Sequence, residues 1–166
     1  MTKVCLIGLG RTGTEIARII MKQQDMRLVA AVCSDFSSKA GKDIGEILDL
    51  SETGIKVYTS SQLNYVIEKL RPDVFVDFSN HKATMNYISA ISENKAAMVI
   101  GTTGFSKTDI MRMKVLAKKN GSGILYAPNI TVGVNVMMLL SNIVSRILSD
   151  YDFEISEAHH KHKKDS

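Results

Sequence analysis

The sequence predicts an α/β chain built on a doubly wound parallel sheet. Three observations carry that expectation. Short apolar runs alternate with segments of helical period, the first run ends in a glycine-rich hexapeptide, and several later runs end in small or hydroxyl residues. Strands separated by helices of ten or more residues need crossover connections, and those build parallel sheets covered on both faces.

Val4-Cys5-Leu6-Ile7 is the first such run, apolar throughout as a strand buried on both faces must be. Residues 14–24 place Ile16, Ala17, Ile19 and Ile20 on one helical stripe. A second strand is expected over 28–33, a short helix within 41–50 and a short strand over 56–58. Thr59 stands three residues before Gln62, a capping-box spacing that predicts a helix through Leu70, stopped by Pro72. Asp73-Val74-Phe75-Val76-Asp77 reads as a strand, then a helix carrying Thr84 and Ile91, then the strand Ala97-Met98-Val99-Ile100. Ser106 and Asp109 cap a helix to about Lys119, followed by a strand over 123–126, a long helix over 132–148 and a last strand over 153–158.

Composition narrows the function classes. At 166 residues, 45% hydrophobic and 23% charged, the chain has the make-up of a globular domain with a real core. Half of its net charge of +4 sits in the last six residues, with Lys161, Lys163, Lys164 and Asp165. The rest is too nearly neutral for a nucleic-acid face, which needs a basic stripe along an element. Cys5 and Cys33 both lie in apolar runs, so buried free thiols and a reducing cytosol are expected. No signal peptide is read at the start. The apolar stretch 132–148 is interrupted by Asn135, Ser141, Asn142 and Arg146, which predicts a buried helix instead of a membrane span.

Gly8-Leu9-Gly10-Arg11-Thr12-Gly13 fits the G-x-G-x-x-G dinucleotide fingerprint, and its position between strand and helix gives the match its weight. Gly8 permits the tight turn, Gly10 lets a pyrophosphate approach the backbone, and Gly13 lets helix and strand lie close. The helix amides then face the phosphate, as in a Rossmann-type site for NADH or NADPH. The second strand ends at Cys33-Ser34-Asp35. Asp35 fits either a ribose-reading carboxylate or the start of a turn, Ser34 suits either nucleotide, and Lys39 stands near enough to help a phosphate. Cofactor choice stays open at this level.

Gly101-Thr102-Thr103-Gly104-Phe105, Asp77-Phe78-Ser79 and Ala127-Pro128-Asn129-Ile130 each end a strand. In an open α/β sheet such ends share the ligand-binding edge. Glu157-Ala158-His159-His160-Lys161-His162-Lys163-Lys164-Asp165 is the densest cluster of reactive groups. Zinc, a solvated tail, or an imidazole acid beside carboxylate-binding cations are the readings it offers. Zinc is the weakest, with no cysteine nearby and adjacent strand histidines facing opposite ways, and no metal is expected.

Together these blocks resemble the 4-hydroxy-tetrahydrodipicolinate reductase (dihydrodipicolinate reductase) family. The resemblance runs through the segments ending at Ser79 and Phe105, through APNITVGVNV (127–136), and into the His/Lys cluster. It implies hydride transfer from NAD(P)H to a cyclic unsaturated dicarboxylate in lysine and diaminopimelate biosynthesis, in the cytoplasm. His159 and Lys163 would be the catalytic acids and His160 a substrate ligand. Residues 8–13, Gly101-Thr102-Thr103 and Ala127-Pro128-Asn129-Ile130 would contact the cofactor. Two departures stand out. Many members have a glycine loop one residue longer with methionine in place of Thr12, and a charged residue at Cys33 or Ser34. The family also continues beyond the Lys-x-Asp sequence with a Pro-Ser-Gly-Thr segment and most of a second domain, which builds a tetramer.

The resemblance thus implies a dinucleotide-binding domain over 1–130, and over 131–166 the long helix and first strand of a truncated α+β domain for substrate and oligomerisation. On that reading the 166-residue chain binds cofactor but does not turn over alone. The competing readings are a non-catalytic nucleotide-binding module and a related amino-acid-type dehydrogenase.

Overall fold

Six parallel strands form one sheet in the order β3-β2-β1-β4-β5-β6 in the computed structural model, which describes residues 1–156. Strand β1 (Thr2–Ile7) is central, pairing β2 (Met26–Cys33) on one side and β4 (Val74–Asp77) on the other. Beyond β2 lies β3 (Val57–Thr59), and beyond β4 lie β5 (Ala97–Ile100) and β6 (Ile124–Tyr126). The chain therefore leaves β1 toward one edge and returns to the other side of β1 at β4. That reversal opens the crevice in which doubly wound sheets bind ligands.

Alternation along β1 sorts the core into two layers. Cys5 and Ile7 pack with Leu63, Val66, Ile88, Ile91 and Met113, from helices α3 (Leu63–Tyr65), α4 (His81–Glu93) and α5 (Lys107–Asn120) and the turn following α3. Val4 and Leu6 pack on the opposite face with Ala17 and Ile20 of α1 (Arg11–Met21) and Ile44 and Leu48 of α2 (Ile44–Leu48). Burying side chains of this size stabilises by roughly 1.5–3 kcal/mol each, so both faces of the sheet contribute.

Most elements fall where the apolar pattern puts them, and the departures have local causes. Helix α1 starts at Arg11, within the glycine hexapeptide and three residues before the predicted start at residue 14, and ends at Met21, ahead of residue 24. Strand β2 gains Met26 and Arg27, which are exposed and carry no burial signal. The segment after Thr59 has its capping box, yet it runs as a 3₁₀ turn (Ser60–Gln62), α3 and a π turn (Val66–Leu70). Arg71 then closes it in the left-handed region at φ 47°. Propensity cannot separate these turns, because all share similar backbone angles.

The chain divides into two units, Met1–Pro128 and Asn129–Ser166. The second contains α6 (Val132–Ile147), in agreement with the apolar stretch, but its apolar side chains are exposed, Val132 by 77% and Ile147 by 73%. It is not a buried helix among the described residues. Phe153, Glu154, Ile155 and Ser156 are not in a strand, and no described strand pairs with them. The remainder of that expected strand, with the His/Lys cluster, lies outside the described residues. No helix of the described residues is long and apolar enough to cross a membrane.

Candidate dinucleotide site at the carboxyl edge of the sheet

Backbone hydrogen bonds continue past the strand ends and hold the loops at one edge. Gly8 donates to the Val32 carbonyl (2.9 Å), Phe78 to Ile7 (2.8 Å), Gly101 to Asp77 (2.9 Å) and Ala127 to Ile100 (2.9 Å). The glycine loop, the Asp77-Phe78-Ser79 loop, the Gly101 loop and Ala127 thus lie side by side, as the sequence predicts.

Each glycine of the fingerprint has a distinct role. Gly8 sits at φ +94°, and a β-carbon there would come within 2.4 Å of the Phe78 carbonyl oxygen. One at Gly13 would lie 1.9 Å from the Gly8 carbonyl oxygen, so only glycine lets α1 pack this close to β1. At Gly10 the same construction meets none of the described residues within 4 Å. Gly10 is also the N-cap of α1, with no side chain capping the helix. Its first-turn amides and dipole therefore face open space, the arrangement that receives a phosphate. Arg11 and Thr12 are exposed in this turn, and Leu9 is buried beneath it.

A network that the sequence did not announce holds the neighbouring loops. The Asp77 carboxylate is fully buried at the end of β4. Its Oδ1 accepts from the Ser79 amide (2.9 Å), the Ser79 hydroxyl (2.6 Å) and the Thr102 hydroxyl (3.3 Å). Its Oδ2 accepts from Thr84 (2.6 Å) and Tyr87 (2.8 Å) on α4. Among the described residues its partners are all neutral donors. Burial first, then the Asp77 charge, push the Tyr87 phenol above the ordinary tyrosine range, fixing it as a donor. The signal was faint: a polar residue ending an apolar strand, and Thr84 and Tyr87 three apart on one helix face. The fold supplies Thr102.

The Gly101 loop rests on this network. A β-carbon on Gly101 would strike the Phe78 ring at 2.3 Å, and Gly104 at φ +88° lies against His81. Phe105 stacks edge-on to Tyr126 with centroids 5.4 Å apart. Thr102 is buried, while Thr103 is exposed at the loop surface. Pro128 ends the first unit, and Asn129 and Ile130 begin the second. There Asn129 accepts from the Thr131 amide (3.2 Å).

Beyond β2, Ser34 is exposed and Asp35 accepts from the Ser61 amide at 2.9 Å. That bond, then the Ser61 hydroxyl, hold the Asp35 carboxyl below the usual carboxylate range. Asp35, Ser60, Ser61, Asn86 and Tyr87 line a cleft of about 370 Å³. A larger cavity of about 530 Å³ opens at the opposite, amino-terminal edge around Arg71, Pro72 and Asn94, away from every fingerprint residue. Among the described residues no His, Cys, Asp or Glu group could hold a metal ion. His159, His160 and Lys163 lie outside them.

A doubly wound sheet with an open, uncapped glycine loop at its switch point defines the Rossmann-type dinucleotide-fold class. Family comparison is more specific. Residues 2–130 match the family model described as dihydrodipicolinate reductase, N-terminus, and residues 133–166 match that for dihydrodipicolinate reductase, C-terminus. The chain belongs to the dihydrodipicolinate reductase family. It is 38% identical to a 4-hydroxy-tetrahydrodipicolinate reductase of Methanothermobacter thermautotrophicus over 167 residues, covering 100% of this chain and 61% of the relative. It is 40% identical to one of Syntrophus aciditrophicus over 160 residues, 96% and 58% of the two chains. The chain thus spans about three fifths of the length of these curated relatives. Among solved structures, a dipicolinate-bound dihydrodipicolinate reductase from Paenisporosarcina sp. superposes with TM-score 0.69 at 27% identity, over 87% of this chain and 54% of the other. A Staphylococcus aureus homoserine dehydrogenase shares the fold alone, with TM-score 0.59 at 16% identity over 75% and 31%.

Proposed function

We propose that the Met1–Pro128 unit binds a nicotinamide dinucleotide, with the pyrophosphate over residues 8–13, for NAD(P)H-dependent reduction of 4-hydroxy-tetrahydrodipicolinate in lysine and diaminopimelate biosynthesis. The observation that carries the reading is the open space over Gly10, in front of an uncapped helix N-terminus, in a chain of this family. The residues present fit the cofactor: Gly8 and Gly13 leave no room for side chains, and Gly10 leaves room for a ligand. When bound, the nicotinamide group supplies the hydride.

The chain's own residues do the rest. The α1 amides bind the pyrophosphate, and Ser34 and Asp35 border the adenosine ribose. Gly101, Thr102 and Thr103, held over the Asp77 network, orient the nicotinamide together with Ala127, Pro128, Asn129 and Ile130. His159 and Lys163 act as proton donors, and His160 neutralises a substrate carboxylate. The substrate is a small dicarboxylate; neither nucleic acid nor membrane is a partner, and no metal is required. The enzyme works as a homotetramer in the cytoplasm, a compartment that suits the two free, buried cysteines.

Calorimetric titration with NADH and NADPH tests the binding half of this reading. A side chain at Gly10 blocks phosphate approach without disturbing packing, so Gly10→Glu is expected to lose binding of both nucleotides while unfolding at the wild-type temperature. Equal affinity in the two proteins would refute the assignment.

A further inference from the structure

Strand β2 lies between β3 and β1, so a residue following it can turn either way. Two charged side chains do so in opposite directions. Asp35 turns to the β3 side, where its carboxylate accepts from the Ser61 amide. Lys39, half-buried after successive turns at 34–37 and 37–40, reaches the β1 side, and its ammonium donates to the Leu9 carbonyl within the glycine loop. The last residue of β2 carries no charge either. Cys33 is buried, and its thiol donates to the Tyr58 carbonyl at 3.4 Å. The β2 end nearest the glycine loop therefore presents a cation and the exposed Ser34 hydroxyl, with Arg11 exposed in the same loop, while its carboxylate is engaged on the far side.

In a Rossmann-type site the adenosine ribose lies where β2 ends beside the glycine loop. A free carboxylate there reads the 2′-hydroxyl of NADH, whereas cations and hydroxyls suit a 2′-phosphate. The Asp35 carboxylate is drawn to the Ser61 amide on the β3 side, whereas the Lys39 ammonium already stands at the Leu9 carbonyl of the glycine loop and has only to extend toward a phosphate. Resting on the dinucleotide reading above, we propose that Lys39, with Ser34 beside it, selects a dinucleotide carrying a 2′-phosphate, NADPH, over NADH.

Fluorescence or calorimetric titration of the 166-residue chain with NADPH and NADH separates the two readings, with 2′,5′-ADP and 5′-AMP as fragments that differ only in the 2′-phosphate. NADPH and 2′,5′-ADP are expected to bind about tenfold tighter than NADH and 5′-AMP, with the margin narrowing as salt is raised. Lys39→Ala should erase the margin by weakening the phosphorylated ligands alone, and Lys39→Arg should keep it. Equal binding of the two nucleotides by the wild type would overturn the selection and leave the dinucleotide reading intact. Parallel weakening of all four ligands by Lys39→Ala would reduce Lys39 to a support for the Leu9 turn. Failure of the wild type to bind either dinucleotide would take both readings down.

Discussion

Two adjacent loops at the carboxyl edge of the sheet treat their polar groups in opposite ways. The glycine loop leaves its helix uncapped and the space over Gly10 open. The Asp77 loop, one strand away, engages both carboxylate oxygens with buried or half-buried donors. Unsatisfied amides facing solvent are tolerated because water can serve them until a ligand does; an unsatisfied carboxylate in the core is not. On the proposed reading the first loop is the receiving surface; the second is the scaffold that holds the Gly101 loop beside it.

Substitutions can break that comparison. Asp77→Ala strips the acceptor from donors on three segments and is expected to destabilise by about 4 kcal/mol. Asp77→Asn should recover part of that loss, since the Ser79, Thr84 and Tyr87 hydroxyls can turn to accept from an amide. Chemical denaturation of both variants measures the difference. Gly13→Ala drives a methyl against the Gly8 carbonyl and should cost about 3 kcal/mol in the same measurement.

Acid sharpens the comparison at smaller amplitude. Asp35, Asp43 and Asp109 each accept backbone amides, and Ser61, Thr53 and the Ser106 hydroxyl respectively are the main causes that hold their carboxyls below the ordinary value of 3.8. A carboxyl lowered in the folded state binds protons more readily once unfolded. Its contribution is therefore present above 3.8 and is lost as pH falls through the folded value. The melting temperature is expected to drop between about pH 5 and about pH 3, and Asp35→Asn should flatten part of that slope. Gly10→Ala has the smallest expected effect, within about 0.5 kcal/mol, because relief of chain entropy offsets a poorer N-cap.

The same contrast explains what the sequence made legible. The fingerprint could be read because its requirements are local: three glycines, a strand before and a helix after, all within one short stretch. Strand and helix positions followed from apolar spacing for the same reason, and the Thr59 and Ser106 capping boxes form as their spacing predicts. Residues 77, 79, 84 and 87 of the Asp77 network lie within one strand, loop and helix, but Thr102 joins them only when β5 pairs with β4. No short window of sequence contains the whole network. The direction of Asp35 was open for a related reason, because the amide that claims it belongs to the turn after β3. Helix α6 shows the limit of composition: an apolar helix predicts burial, and the sequence of the helix does not say by what.

The central claim is that the glycine loop receives the dinucleotide. Amide NMR of the ¹⁵N-labelled chain during NADPH titration tests it most directly, because it reports each loop separately. The account predicts shifts at Gly10, Arg11 and Thr12, with Gly101 following, and none at Arg71 or Asn94 around the cavity on the opposite edge. Saturable binding that moves Arg71 and Asn94 while leaving Gly10, Arg11 and Thr12 in place would contradict it.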